Sequence, residues 1–179
     1  RILRLMKRAY HSKRYRYLVD LFREQNPQHA LSTDIIVGFP TETEEEFEET
    51  LQLVRDLRFD SAFMFMYSPR AGTVSAETMK DDVRLSVKKE RLQRLIALQE
   101  EISAEKNRAE IGRTHEVLVE GPARKSEGML QGRTRTDKRM VFKGNPRLVG
   151  SLANVKVTDC TSHTLLGEIE IKEGVAAGV

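Results

Sequence analysis

The sequence contains one cysteine and no tryptophan, and the scarcity of cysteine excludes several kinds of protein. Cys160 has no second cysteine to pair with, so no disulfide forms within the chain, and we expect a reducing compartment such as the cytoplasm. A lone thiol also cannot hold an iron–sulfur cluster. The four histidines lack the spacing of zinc ligands, so we expect no metal site in the chain.

Long apolar runs and glycine-rich phosphate motifs are missing as well. No run approaches the ~20 apolar residues that span a bilayer, and no signal-peptide pattern is present, so we expect no membrane partner. The glycine spacings of P-loops and dinucleotide-binding folds are absent. No arrangement of Ser, His and Asp indicates a nucleophilic site, and we assign no catalytic residue to this chain.

The first half of the sequence is typical of strands that alternate with helices. Ile35–Val37 is a short apolar run, and helical spacing follows it over Glu44–Leu57. Phe59–Tyr67 reads as a second buried strand, and Val83–Glu110 as a long helix whose apolar stripe includes Leu85. This order predicts an α/β fold built from βα units.

Each predicted strand is followed by a loop that we expect to face a ligand, because ligands bind at the carboxyl ends of parallel strands. These loops are Gly38–Thr43 and Ser68–Thr73. Glutamates Glu44–Glu46 at the next helix start would repel a phosphate, which excludes a phosphate cradle there. Arg70 is a candidate for binding a carboxylate or a phosphate. The alternatives are a tight connection that needs glycine for backbone reasons and an ordinary exposed arginine.

The second half changes from helical to alternating periodicity after Gly112. Five short strands are predicted, at His115–Glu120, Met129–Thr136, Arg139–Lys143, Leu148–Asp159 and Thr164–Ile171. Five strands in about 60 residues predict a small antiparallel β-barrel, closed so that no strand edge stays unpaired. We therefore divide the chain into an α/β domain at residues 1–110, a barrel at residues 111–172 and a disordered tail at residues 173–179.

Positive charge gathers in two places. Between Arg113 and Lys172 there are eleven Lys/Arg and seven Asp/Glu. A cationic hairpin in this stretch is a candidate RNA-binding or DNA-binding site, with a merely solvated face as the alternative. Its residues are Arg133, Arg135, Lys138 and Arg139. The segment Arg1–Asn26 is also basic, but no aromatic interleaving favours a nucleic-acid surface there over a solvated helix face.

Four motifs in order resemble the radical SAM methylthiotransferase family. They are Thr33–Thr43 with Phe47, Tyr67–Thr73, Lys88–Leu92 and Val119–Pro122. The resemblance covers nearly the whole chain and implies the last βα units of a partial (βα) barrel followed by a TRAM-like β-barrel that binds RNA. Phe59–Phe63, Gly132–Thr134 and Val141–Phe142 look most like the branch that adds a 2-methylthio group to dimethylallyl-adenosine beside the tRNA anticodon. The branch acting on threonylcarbamoyl-adenosine ranks second.

The same resemblance implies cofactors and partners. The family uses S-adenosylmethionine (SAM) and two 4Fe-4S clusters, whose cysteine ligands are not in this sequence. Asp34–Gly38 resembles the strand whose backbone contacts the adenine of SAM, so Ile36 and Gly38 are the implied cofactor-binding residues. The implied partner is a tRNA anticodon stem-loop. A small-molecule enzyme would need catalytic groups that the two loops do not offer.

Because Arg1 begins within a helical pattern and is not a methionine, we expect a C-terminal fragment of a longer enzyme, inactive in isolation. Two parallel strands would leave a strand edge uncovered, and we expect self-association through that edge. The alternative from another class is a freestanding RNA-binding adaptor whose α/β half is only a scaffold.

Overall fold

The computed structural model describes residues 1–124 and 126–170 of the 179-residue chain. It divides into two compact units between Ser103 and Ala104, within the longest helix. No helix among the described residues is long and apolar enough to cross a membrane. The tail predicted to be disordered, residues 173–179, lies outside the described residues.

The first unit alternates helices with two strands, as the sequence predicts. Its elements are α1 (Ile2–Leu5), α2 (Ser12–Gln25), β1 (Ser32–Val37), α3 (Glu44–Leu57), β2 (Ser61–Met66), α4 (Val74–Thr78) and α5 (Leu85–Arg108), which runs on into the second unit. Strands β1 and β2 pair in parallel, with Ser32 opposite Ser61 and Val37 opposite Met66. The βα architecture is therefore confirmed.

One face of this two-stranded sheet is covered and the other is open. Residues of β1 and β2 that alternate with the exposed positions pack against the helices, where Val37, Phe47 and Leu95 are fully buried. On the opposite face Phe63 is 62% exposed and Phe65 52% exposed. Because side chains alternate between the faces of a strand, the same face carries Ser32, Asp34 and Ile36 of β1, so its apolar part consists of Ile36, Phe63 and Phe65.

Helix α3 begins at the predicted capping box. Thr43 accepts a hydrogen bond from the Glu46 amide, and the Glu46 carboxylate accepts one from the Thr43 amide. These two bonds satisfy donors that a helix start would otherwise leave unpaired. The apolar face of α3 then packs into the core through Phe47, Leu51, Val54 and Leu57.

Helix α5 departs from the predicted apolar stripe. Leu85 is 59% exposed, and the buried stripe begins instead with two cations, Lys88 and Arg91, before reaching Leu95 and Ile102. Hydrophobicity alone did not predict this arrangement, because long cationic side chains can bury their stems when their charged ends find partners.

The second unit is a closed barrel. Its strands are β3 (Thr114–Pro122), β4 (Met129–Thr134), β5 (Arg139–Lys143), β6 (Leu152–Cys160) and β7 (Leu165–Ile169), with a 3-10 turn at Pro146–Leu148. The order around the barrel is β3-β4-β5-β7-β6. The predicted strand at Leu148–Asp159 therefore begins later, after the 3-10 turn.

The barrel is mixed rather than purely antiparallel, because β5 pairs with β7 in parallel. A closed ring of five strands cannot alternate direction at every pairing, so one parallel pair is required. The interior is apolar and includes Val117, Met140 and Phe142, all fully buried. Gly132 allows β3 and β4 to approach closely, since a Cβ there would lie 2.2 Å from the Leu118 carbonyl oxygen.

Candidate functional site

The loop after β1 requires glycine at position 38, because any other residue there would be strained. Gly38 has a φ of +70°, and a Cβ at this position would lie 2.4 Å from Cγ of Lys88. Only glycine adopts this backbone conformation at little cost while leaving room for the neighbouring side chain. The Gly38 amide donates a hydrogen bond of 2.7 Å to Oε2 of Glu42, which closes the loop.

Glu42 and Arg91 form a buried ion pair beneath this loop. The Glu42 carboxylate accepts from Nη1 of Arg91 at 2.8 Å, and both side chains are at most 5% exposed. Burial raises the pKa of Glu42, while the Gly38 amide and the Arg91 charge oppose that rise. The pair fixes the loop to α5 at the cost of removing two charges from water.

The acidic start of α3 is neutralised by arginines. Glu44 accepts from Arg94 at 2.5 Å and from Arg91 at 3.1 Å, and hydrogen bonding to Arg94 lowers the pKa of Glu44. Glu46 pairs with Arg1 at 2.6 Å, and Glu48 pairs with Arg94. The amides of Thr43 and Glu46 are already bonded within the capping box, and carboxylates surround this helix start, so it is poorly suited to a phosphate.

Lys88 ties the loop after β1 to the loop after β2. Its stem packs against Gly38, and its Nζ donates to the Tyr67 carbonyl at 3.1 Å and to the Asp81 carboxylate at 2.6 Å. The Tyr67 ring meets Phe39 edge to face, with 5.0 Å between centroids. One buried lysine therefore sets the spacing of the two loops that the sequence predicts to face a ligand.

The predicted cofactor-binding and substrate-facing residues lie around this pair of loops. Ile36 is 40% exposed and shares the open sheet face with Phe65, its partner in the strand register. Gly38 is buried at the end of β1. Arg70 is exposed in the second loop, and its guanidinium makes no hydrogen bond or ion pair with any residue in the described part of the chain. The arrangement provides an apolar surface with a free cation in the adjoining loop.

The four predicted RNA-binding residues differ in how far they are engaged by the barrel itself. Arg133 donates to the carbonyl and carboxylate of Asp137, and Arg135 pairs with Glu116 at 2.5 Å. Lys138 Nζ donates to Oδ1 of Asn107 at 2.7 Å. Arg139 is exposed and forms no ion pair with a described carboxylate.

The set of contacts made by the buried cations Lys88 and Arg91, with the exposed Asp81 and the buried Glu42 respectively, was missed by sequence reasoning. Its signal was the position of Lys88 and Arg91, which precede Leu92 and Leu95 at helical spacing and therefore share their face of α5. A cation within an apolar stripe needs a buried partner. No cluster of three or more His, Cys, Asp or Glu side chains that could hold a metal occurs in residues 1–124 and 126–170.

Comparison with known proteins agrees with these features. The family model described as the TRAM domain matches residues 108–169, which include all five barrel strands. This match and the closed barrel place the chain among proteins that carry a TRAM domain, and a TRAM domain indicates RNA binding.

Several relatives share one name, "tRNA-2-methylthio-N(6)-dimethylallyladenosine synthase". The relative from Carboxydothermus hydrogenoformans is 53% identical over 159 residues, which are 89% of this chain and 36% of that protein. The relative from Bacillus subtilis (strain 168) is 49% identical over 168 residues, covering 94% of this chain and 33% of that protein. The chain thus spans roughly a third of the length of these relatives, and it resembles them over most of its own length. The predicted resemblance is confirmed.

Proposed function

We propose that this chain supplies part of the SAM pocket and the tRNA-binding domain of an enzyme that adds a 2-methylthio group to dimethylallyl-adenosine next to the anticodon. The observation that carries the proposal is the combination, in one chain, of a βα unit with two tied loops and a TRAM barrel. Identity of about half over 89% of the chain to proteins named for this reaction supports it. Residues 1–110 would form the part of the SAM pocket, and residues 111–172 would form the tRNA-binding domain.

The open sheet face suits the adenine of SAM. Ile36 and Phe65 offer apolar contact area at the carboxyl end of the sheet, and the extended backbone leading to Gly38 offers hydrogen-bonding groups. Arg70 offers a positive charge in the adjoining loop for a ligand carboxylate. When bound, SAM would supply the methyl group and the radical chemistry, and these residues would hold and orient it.

The two 4Fe-4S clusters do not fit this chain. Cys160, the single cysteine, lies at the end of β6 in the barrel, and a 4Fe-4S cluster is held by several cysteine thiolates. The cluster ligands of the complete enzyme must therefore come from residues other than these 179. The chain alone should have no methylthiotransferase activity.

The barrel's proposed partner is the tRNA anticodon stem-loop. Phosphate contacts need cations whose charge is available, and among the four predicted residues Arg139 best meets this condition. Arg133 and Arg135 would first have to exchange Asp137 and Glu116 for phosphates. Lys138 is held by Asn107 and contributes chiefly to the barrel itself.

The substrate is tested with a chimera. The matching 168 residues of the Bacillus subtilis relative are replaced by those of this chain, the clusters are reconstituted, and the nucleosides of treated tRNA are analysed by mass spectrometry. We expect methylthiolation of dimethylallyl-adenosine. Methylthiolation of threonylcarbamoyl-adenosine instead would support the second branch, and RNA binding without any product would support the adaptor alternative.

Arg70 is tested in the same chimera. Arg70→Gln should raise the SAM concentration needed for half-maximal activity, whereas Lys80→Gln, which removes another exposed cation, should leave it unchanged. Equal effects of the two substitutions would exclude a specific role for Arg70 in binding SAM.

We also infer that the isolated chain self-associates through the uncovered part of its two-stranded sheet. Phe63 and Phe65 are more than half exposed, and exposed apolar surface next to an unpaired strand edge favours association. Sedimentation velocity should show dimers or larger species that the double variant Phe63→Ser/Phe65→Ser lacks. A monomer at high concentration would contradict this inference.

A further inference from the structure

A basic and aromatic surface lies on the first unit, outside both sites described above. We call it the α2 basic face. It consists of Lys7, Arg8, Tyr10, Lys13, Arg14 and Tyr17, all of them exposed. The sequence indicated no aromatic interleaving here, but the fold leaves Tyr10 41% and Tyr17 53% exposed beside the cations.

The aromatic rings of this face are held in place by neighbouring side chains. Tyr10 stacks on Tyr15 with 5.7 Å between ring centroids and 23° between planes. The Tyr15 hydroxyl is hydrogen-bonded to Thr33 Oγ1 at 3.0 Å, which anchors the stack to β1. The Arg14 guanidinium lies 5.1 Å from the centroid of the Tyr17 ring. These contacts orient the planar groups of the face.

The cations of this face are not neutralised by any described carboxylate. Lys7, Arg8, Lys13 and Arg14 form no ion pair with any carboxylate within the described ranges, whereas the nearby Arg16 pairs with Asp56 at 2.7 Å. Lys13 precedes Tyr17 by four residues, so both lie on the same side of α2. Unpaired cations attract a polyanion, and their counterions are released when it binds.

The exposed tyrosine rings and the Arg14 guanidinium favour a single-stranded nucleic acid over other polyanions. An acidic protein segment would use the charges alone, without a need for exposed rings. Bases of single-stranded RNA stack on aromatic rings and on guanidinium planes while the backbone meets the neighbouring cations. Tyr17 with Arg14 above it combines both kinds of contact within one turn of α2.

We propose that the α2 basic face is a second RNA-binding surface, separate from the TRAM barrel, that contacts phosphates through its cations and an unpaired base through Tyr17 and Arg14. The inference does not depend on which nucleotide the complete enzyme modifies. It requires only that the α/β unit also touches RNA.

The charge contribution is tested on the whole 179-residue chain by fluorescence anisotropy with a labelled single-stranded RNA. Lys7→Gln/Lys13→Gln removes two phosphate contacts and should make the slope of log affinity against log salt shallower by about 1.4. The matched control is Arg55→Gln/Lys89→Gln, which removes two exposed cations of the same unit outside the α2 basic face. Equal slopes in the two double variants would overturn the proposal.

The stacking contribution is tested by two substitutions at Tyr17. Tyr17→Leu should weaken RNA binding about 5- to 150-fold, the range expected for loss of one base–aromatic stack. Tyr17→Phe keeps the ring and should bind like the wild type. Position 17 is exposed on α2, so we expect neither substitution to disturb the fold, and helical circular dichroism checks this. Equal affinities of the two variants would contradict stacking at this site.

Discussion

The buried pair of Glu42 and Arg91 gives the sharpest stability prediction. Arg91→Met removes the guanidinium but keeps much of the apolar stem that packs in α5. It leaves the Glu42 carboxylate buried, with the Gly38 amide as its remaining hydrogen-bond donor among those described. Removing one partner of a buried ion pair typically costs about 3–5 kcal/mol, because the other charge is left uncompensated.

The exposed contact between Arg91 and Glu44 adds little to the cost of Arg91→Met. Arg91 also contacts Glu44 at 3.1 Å, but the Glu44 side chain is 48% exposed and retains its bond to Arg94. Contacts of this kind contribute about 0–1 kcal/mol. At neutral pH we therefore expect Arg91→Met to lower the free energy of unfolding by about 3–5 kcal/mol, almost all of it from Glu42.

A second variant separates buried charge from lost packing. Glu42→Gln/Arg91→Met removes both charges and keeps an amide oxygen for the Gly38 amide, so it should cost only about 1–2 kcal/mol. Urea unfolding followed by helical circular dichroism reports on α2, α3 and α5. The reasoning is refuted if Arg91→Met costs less than about 1 kcal/mol, or if the double variant is no more stable than Arg91→Met.

Three further predictions concern pH, the loop glycine and RNA. Burial raises the pKa of Glu42, so this carboxyl adds stability below about pH 4 that is lost as the pH rises through its raised pKa. Glu42→Gln should therefore gain stability relative to wild type as the pH rises, and urea midpoints that stay parallel across pH would contradict this. Gly38→Ala should cost more than 2 kcal/mol because it combines a positive φ with a clash, whereas Gly72→Ala, with a φ of +80° and open space, should cost about 1 kcal/mol. Arg139→Gln should reduce RNA affinity and the salt slope more than Arg135→Gln does, and the reverse order in anisotropy titrations would refute the ranking.

Much of the fold follows from local sequence patterns. The β-branched run before Gly38, the capping box at Thr43 and the alternation after Gly112 each specify their element through short-range physics. The observed elements agree with these patterns to within a few residues. The parallel pairing of β5 with β7 was not predicted, because it follows from closing the ring and not from any one strand.

The candidate site was only partly accessible to the same reasoning. The two loops could be located, since their position follows from strand order. The tie through Lys88 and the pair of Glu42 with Arg91 could not be predicted, because each joins residues on different elements. Glu42 and Arg91, for example, are 49 positions apart in the sequence. Likewise, the sequence presents Arg133, Arg135, Lys138 and Arg139 as equals, and only the fold shows that three of them are engaged by Asp137, Glu116 and Asn107.

The central claim is that this chain provides the SAM-facing loops and RNA-binding barrel of a methylthiotransferase for dimethylallyl-adenosine. Its most direct test is the tRNA of cells that lack their own enzyme and express the chimera with the Bacillus subtilis relative. The account predicts that 2-methylthio-dimethylallyl-adenosine returns with the chimera and is lost when the chimera carries Gly38→Val. A chimera that accumulates as folded protein and binds tRNA, yet leaves dimethylallyl-adenosine without the methylthio group, would contradict the claim.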